Sequence, residues 1–168
     1  MRIEHQRELP GSPAEVVALM HDEGFQRRKA ERLGALDFGM DVTETERGST
    51  VVTRRRTATT TMPEFVRAMV RATITAHETE EWGSWGPDGS RDGVFRVEVD
   101  GAPIGLVGGV RAEAAGQERC LLTFWGEVEA RVPMFRERVA RIGAGPISET
   151  IETEFRLLEE CLRAGNAA

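Results

Sequence analysis

Lysine is almost missing from this sequence: of its 22 basic residues only Lys29 is not an arginine. With abundant Gly and Ala, that bias reads as the coding preference of a GC-rich genome. Cysteine is scarce too. Cys120 and Cys161 stand far apart, outside any CxxC or metal-type spacing. That excludes a zinc-ribbon or thioredoxin-like reading and leaves two reduced thiols as the expectation, or else a bridge between them. No apolar run is long enough to span a bilayer. The opening MRIEHQREL lacks the apolar stretch of a secretory signal, so the cytoplasm is the expected compartment. Catalytic signatures are lacking as well. His5, His21 and His77 fall in different segments with no i,i+4 pair and no HExxH, so solvated or structural roles are expected of them, not metal binding or catalysis. There is no GxSxG and no Gly-rich phosphate loop after a strand, and no cofactor or metal is expected. A formal net charge of -6 argues against general nucleic-acid binding and leaves only a local basic patch open.

What is present suits one folded domain over residues 1–168. Charged residues make up 30% of the chain, but with mixed signs and frequent strand-like alternation, unlike a disordered segment. Residues 2 to 9 alternate weakly as a first strand. Ser12-Pro13-Ala14-Glu15 then forms a capping box with proline at the first helical position, and Val16, Val17 and Met20 give the short helix an apolar face. Asp22 can cap a second helix in which Phe25 and Leu33 fall on similar sides, with Gly34 placed to stop it. The basic run Arg27-Arg28-Lys29 with Arg32 lies at helical spacing. It reads as a solvated face interleaved with Glu31, or as a contact for an anionic surface.

From residue 36 the period changes to two. Leu36, Phe38, Met40 and Val42 alternate with polar or small residues as a half-buried strand, and a turn at Arg47-Gly48 leads into a return strand over 50 to 58. Residues 63 to 70 suit a helical turn or a loop. RATITAHETEEW then sets Ile74, Ala76, Glu78, Glu80 and Trp82 on one face, and GSWGPDGSRDG makes a long turn. Three more strands follow: Val94 to Val99, Ile104 to Glu113, and Cys120 to Val132, the last ended by Pro133. Ile147, Ile151, Phe155, Leu158 and Leu162 step by four, four, three and four, the stripe of an amphipathic helix. At roughly 1.5–3 kcal/mol each, these five side chains gain on the order of 10 kcal/mol by burial, so the helix must lie against the sheet. Val139 and Ile142 keep the rhythm upstream, but Gly143-Ala144-Gly145-Pro146 breaks it, and a kink or break is expected there.

The order is strand, two short helices, six antiparallel strands and a long final helix. It resembles the START-like, birch-pollen-allergen-like (SRPBCC) superfamily, and more narrowly an uncharacterised, largely actinobacterial family within it. The resemblance is carried by ELPGSPAEVVALMHDEGFQRRKAERLG, ETEEW, GVFRVEVDGAP and GEVEARVP, which together touch nearly the whole chain. It implies an α+β helix-grip fold, in which a seven-stranded curved antiparallel sheet, with two short helices after its first strand, wraps a long C-terminal helix. It also implies an internal cavity for a hydrophobic or amphipathic small molecule or lipid. No catalytic residue carries over.

On that architecture the alternating faces nominate cavity residues: Phe38, Met40, Ile74, Glu78, Trp82, Phe95, Val97 and Phe124 from the strands, with Ile151 and Phe155 from the helix. For Phe38, Phe95, Phe124 and Phe155 the plain alternative is solid core. An ionised carboxylate in an apolar cavity needs a partner, a raised pKa or a wet mouth. Alternation turns at least one of Arg54, Arg55 and Arg56 inward, so Arg55 facing Glu78 is a candidate polar anchor for a ligand, or equally a structural ion pair. Trp85, in the long turn, either gates an entrance or pins the loop. Three functions follow: noncatalytic carriage of an apolar ligand, cyclase- or dehydratase-type catalysis with Glu78 as base, and an interaction module whose pocket is vestigial.

Overall fold

The helix starts are set by their capping residues. The protein is described by a computed structural model covering residues 1–60, 62, 64–68, 70–132 and 134–166. Ser12 Oγ accepts the Glu15 N–H at 3.3 Å while the Glu15 carboxylate accepts the Ser12 N–H at 2.7 Å, closing the expected capping box ahead of α1 (Pro13–Met20). Asp22 accepts the Phe25 N–H at 2.8 Å and starts α2 (Glu23–Arg32). α1 buries Val16, Val17 and Met20; α2 buries Phe25 and Ala30, and also Gln26 and Lys29.

Seven strands form one antiparallel sheet: β1 (Arg2–Leu9), β2 (Asp37–Thr45), β3 (Gly48–Ala58), β4 (Thr73–Trp82), β5 (Arg91–Asp100), β6 (Ile104–Ala114) and β7 (Cys120–Ala130). Their spatial order is β1-β7-β6-β5-β4-β3-β2. Between β3 and β4 a short helix, α3 (Glu64–Arg67), occupies part of the segment expected as a helical turn or a loop. The final helix, α4 (Arg136–Asn166), packs across the concave face against β7, β1 and β6. This is the α+β helix-grip fold. Period-two alternation gives β7 one wholly buried side, Cys120, Leu122, Phe124, Gly126, Val128 and Ala130. Toward the sheet α4 presents Ile147, Ile151, Phe155, Leu158 and Leu162, all buried.

Three expectations need correction or relocation. Leu36 precedes β2 and is 59% exposed, and Val42 is 42% exposed, because β2 is an edge strand beyond the reach of α4. The break at Pro146 does not occur: α4 runs continuously through it. Its neighbours Gly143 and Ala144 are buried, and a Cβ on Gly143 would lie 1.8 Å from Ile104 Cδ1. The small residues there serve close packing of helix on sheet and do not end the helix. Thr150 Oγ1 donates to the Pro146 carbonyl at 3.0 Å just beyond. Pro133, expected to end the strands, lies outside the described residues; β7 ends at Ala130.

The curvature needs backbones in close approach. Gly108 of β6 faces Gly126 of β7, and a Cβ at Gly108 would fall 1.8 Å from the Trp125 carbonyl oxygen and 2.5 Å from Gly126 Cα. Neither atom can yield without parting the two strands. Gly108→Ala is expected to destabilise the fold by about 3 kcal/mol, measured as a lowered urea midpoint; an unchanged midpoint would contradict this strand contact.

Candidate functional site

β4 brings two glutamates to the concave face together with Ile74, Ala76 and Trp82. Glu78 is 4% exposed and Glu80 3%. A buried carboxylate costs several kcal/mol unless opposite charge meets it, and Glu78 is met twice. Arg55 of β3 donates from Nη1 to Oε1 at 2.7 Å, and Lys29 of α2 donates from Nζ to Oε2 at 2.7 Å. Lys29 Nζ also donates to Glu154 Oε2 of α4 at 2.8 Å. Gln26 Nε2 adds bonds to the Met20 carbonyl at 2.9 Å and to Glu154 Oε1 at 3.4 Å, and Arg55 Nη2 reaches Thr150 Oγ1 at 3.3 Å. One polar cluster therefore joins α2, β3, β4 and α4.

Its charges balance. Burial opposes the charge on Lys29, but Glu154 and Glu78 more than offset it and raise the pKa above the usual lysine value. Burial likewise pushes Glu78 up, yet Lys29 and Arg55 override it and hold the group at about 2. Glu80 behaves differently: burial, reinforced by the charge of Glu154, lifts it to about 8 against the opposing pull of Lys29 and the Trp82 indole N–H, which donates at 2.8 Å. At neutral pH Glu80 is protonated. Two cations then face two carboxylates, with no buried charge left over.

Beside this cluster lies a cavity of about 330 Å³ between β3, β4, β5 and the first half of α4. Its walls are largely apolar, with Ile74, Ala76, Val97, Val99 and Ile147 among them, and Arg55, Glu78 and Thr150 form its polar patch. Pro146 and Glu149, exposed on α4, mark the side open to solvent.

Of the nominated residues, Ile74, Glu78, Phe95 and Val97 border this cavity together with Arg55. Trp82, Phe124, Ile151 and Phe155 are buried but are not among its lining. Phe124 stacks between Phe95 and Phe155 at centroid distances of 5.1 and 5.9 Å, filling that part of the interior. Phe38 and Met40 sit half-buried on edge strand β2, with the Arg27 guanidinium 5.2 Å from the Phe38 ring. Each histidine has hydrogen-bond partners: His5 bonds Glu152 and Ser148, His21 bonds Val17 and Ser49, and His77 bonds Asp100. Trp85 is 43% exposed under Arg91 and does not border the cavity. Both cysteines are free thiols.

The expected solvated face of α2 is corrected at Lys29, which is 2% exposed. Glu154 and Thr150 were not nominated either. A signal for Lys29 was present: it stands four residues after Phe25 and four before Leu33, on the stripe those two define. Glu154 occupies the same kind of place on α4, three residues after Ile151.

Two outcomes follow. Lys29→Met leaves Glu154 buried without a cation and Glu78 with Arg55 alone, and is expected to cost about 3–5 kcal/mol in urea unfolding; a loss under about 1 kcal/mol would contradict the cluster's role. For Glu80, the folded state holds a proton that the unfolded chain releases above its ordinary value of 4.5. Its contribution is therefore full below pH 4.5 and declines by about 1.4 kcal/mol per pH unit up to about 8. The Glu78 contribution, present above its unfolded value, is constant across that window. Glu80→Gln should remove the decline, so the variant gains on wild type as pH rises; parallel stability curves would exclude a protonated Glu80.

Comparison with known proteins places the architecture. The Zhui aromatase/cyclase from Streptomyces sp. R1128 superposes with a TM-score of 0.65 at 10% identity, over 97% of this chain and 93% of that one. The human StarD13 (DLC2) lipid transfer and protein localization domain gives 0.61 at 11% identity, over 94% and 76%. TTHA0849 from Thermus thermophilus gives 0.59 at 14%, over 98% and 99%. At such identities the likeness shows a shared fold and nothing finer. No curated protein matches the chain. The family described as "Protein of unknown function (DUF2505)" matches residues 4–162, and the chain belongs to that family.

Proposed function

We propose that this protein is a noncatalytic, cytoplasmic binder of a small hydrophobic or amphipathic molecule held between the sheet and α4. The observation that carries this is the cavity of about 330 Å³, walled by apolar side chains and given one polar patch by Arg55, Glu78 and Thr150. That is the usual make-up of a small-molecule site. Its size narrows the ligand. A cavity of about 330 Å³ lies at the small end of the range usual for small-molecule sites, which suits a ring system or a short chain better than a two-chain lipid.

The polar patch narrows it further. The Arg55 guanidinium has five donors, and two of its nitrogens already serve Glu78 and Thr150. Because the buried charges already balance, a neutral acceptor such as a hydroxyl or carbonyl oxygen suits the remaining donors better than another anion. The shared fold supports an apolar ligand, one similar structure being a lipid transfer domain; another is an aromatase/cyclase, so the choice between carriage and catalysis rests on Glu78. Catalysis by Glu78 is disfavoured, since both its oxygens are occupied and a carboxylate held at about 2 is a weak base.

Native mass spectrometry of the purified protein before and after organic extraction tests the proposal. A bound small molecule lost on extraction is expected. The extracted protein should then take up the uncharged fluorophore N-phenyl-1-naphthylamine. Ala76→Phe, which places a ring in the void, should weaken that uptake about tenfold or more while leaving the fold intact. Equal uptake by the variant would overturn the assignment of the cavity.

A further inference from the structure

The turn between β7 and α4 combines three local conflicts at one place. Phe135 immediately precedes the first residue of α4, and its carbonyl accepts the Val139 N–H at 3.0 Å. That is the N-cap position, where Ser, Thr, Asp or Asn would satisfy the open amides and phenylalanine cannot. Its backbone adopts φ of 64°, in the left-handed region that a bulky side chain rarely enters. The ring so placed is 69% exposed, and Met134 beside it is 71% exposed. Poor capping, backbone strain and two apolar side chains held in water all weaken the fold, and such a local conflict points to use elsewhere.

The charges around this knob are unlike those of the chain as a whole. From Arg131 to Arg141, four arginines stand against the single glutamate Glu137, a local surplus of three positive charges in a chain of net charge -6. Arg131, Arg136, Arg138 and Arg141 are all exposed; Arg131 reaches Glu98 at 3.5 Å. Carboxylates also stand close by: Glu98 is paired with Arg131 and Glu127 with the N-terminal amine, and Glu129 borders the same groove as Arg131 and Arg136. Setting the two pairs aside, Arg136, Arg138 and Arg141 outnumber Glu137 and Glu129, and charge farther than about 10 Å is screened at ordinary salt. We propose that this turn docks the protein on an anionic lipid surface, with Met134 and Phe135 entering the boundary of the acyl region and the arginines facing the headgroups. A two-residue knob is far too small for a globular partner, which needs about 800 Å² of matched surface. A fluid surface accepts it without complementarity. The knob also lies at the cavity end of the sheet. Arg131 N–H donates to the Pro103 carbonyl in the β5–β6 turn at 2.8 Å, and Ile74 and Val99 of the cavity wall sit at the same strand ends. The inference stands apart from the binding proposal and holds whether or not the cavity carries a ligand.

Co-sedimentation of the full chain with vesicles tests it. Binding to equimolar phosphatidylglycerol and phosphatidylcholine is expected to exceed binding to phosphatidylcholine alone by about tenfold or more, and to fall as salt rises. Phe135→Asn is the decisive variant, because asparagine both caps helices and tolerates positive φ. It should keep or raise the thermal midpoint while lowering anionic-vesicle binding about fivefold or more. Arg136→Gln with Arg141→Gln should lower binding and flatten its salt dependence. Equal binding to both vesicle types, no binding to either, or undiminished binding by Phe135→Asn would each overturn the proposal.

Discussion

A single ammonium group, Lys29 Nζ, lies between the carboxylates of Glu78 and Glu154 at 2.7 and 2.8 Å, and the interior is arranged around it. It ties α2 to β4 on one side and to α4 on the other, so the short helix cannot shift without stranding charge in an apolar setting. Such a cluster is not a cheap source of stability, because desolvation consumes much of the Coulomb attraction. Its effect is on specificity: an arrangement with α2 rotated by one residue would leave Glu154 buried without a cation and Glu78 with Arg55 alone. Arg55 completes the balance on Glu78 and, in doing so, is held facing the cavity.

The cavity follows from an uneven filling of the space between the sheet and α4. Toward β7, Phe124 packs between Phe95 and Phe155 and the interior is solid. Toward β3 and β4 the lining includes the short side chains of Thr57 and Ala76, and the space stays open. The charged cluster prevents collapse on that side, since closing the gap would require desolvating Arg55 further. Void and charge thus occur together for one reason.

Much of this was readable beforehand, and the reasons are local. The Ser12–Glu15 capping box, the Asp22 cap and the inward set Ile74, Ala76, Glu78, Glu80 and Trp82 all rest on neighbours in sequence or on strict alternation; alternation turns at least one of Arg54, Arg55 and Arg56 inward, and the register of β3 on β4 decides that Arg55 meets Glu78. What escaped depends on distant chain. The run from Arg27 to Arg32 has the composition of a wet helix face, and only the glutamates at 78 and 154 make burial of its lysine tolerable. Pro146 is read as a helix breaker from its chemistry alone, whereas α4 runs through it, with Gly143 packed closely against Ile104 of β6. Phe38 and Met40 alternate as well as any inward pair, but their strand falls at the sheet edge, and strand order is a property of the assembled sheet.

The seclusion of Lys29 bears on the chemistry of amines. It is the chain's one lysine, and in the folded protein its nitrogen has two carboxylate partners and almost no access to solvent. Acyl donors, whether laboratory esters or acetylating and ubiquitinating enzymes, therefore find no side-chain amine on the native surface. Acylation at position 29 would mark molecules that had opened, making that residue a covalent record of unfolding.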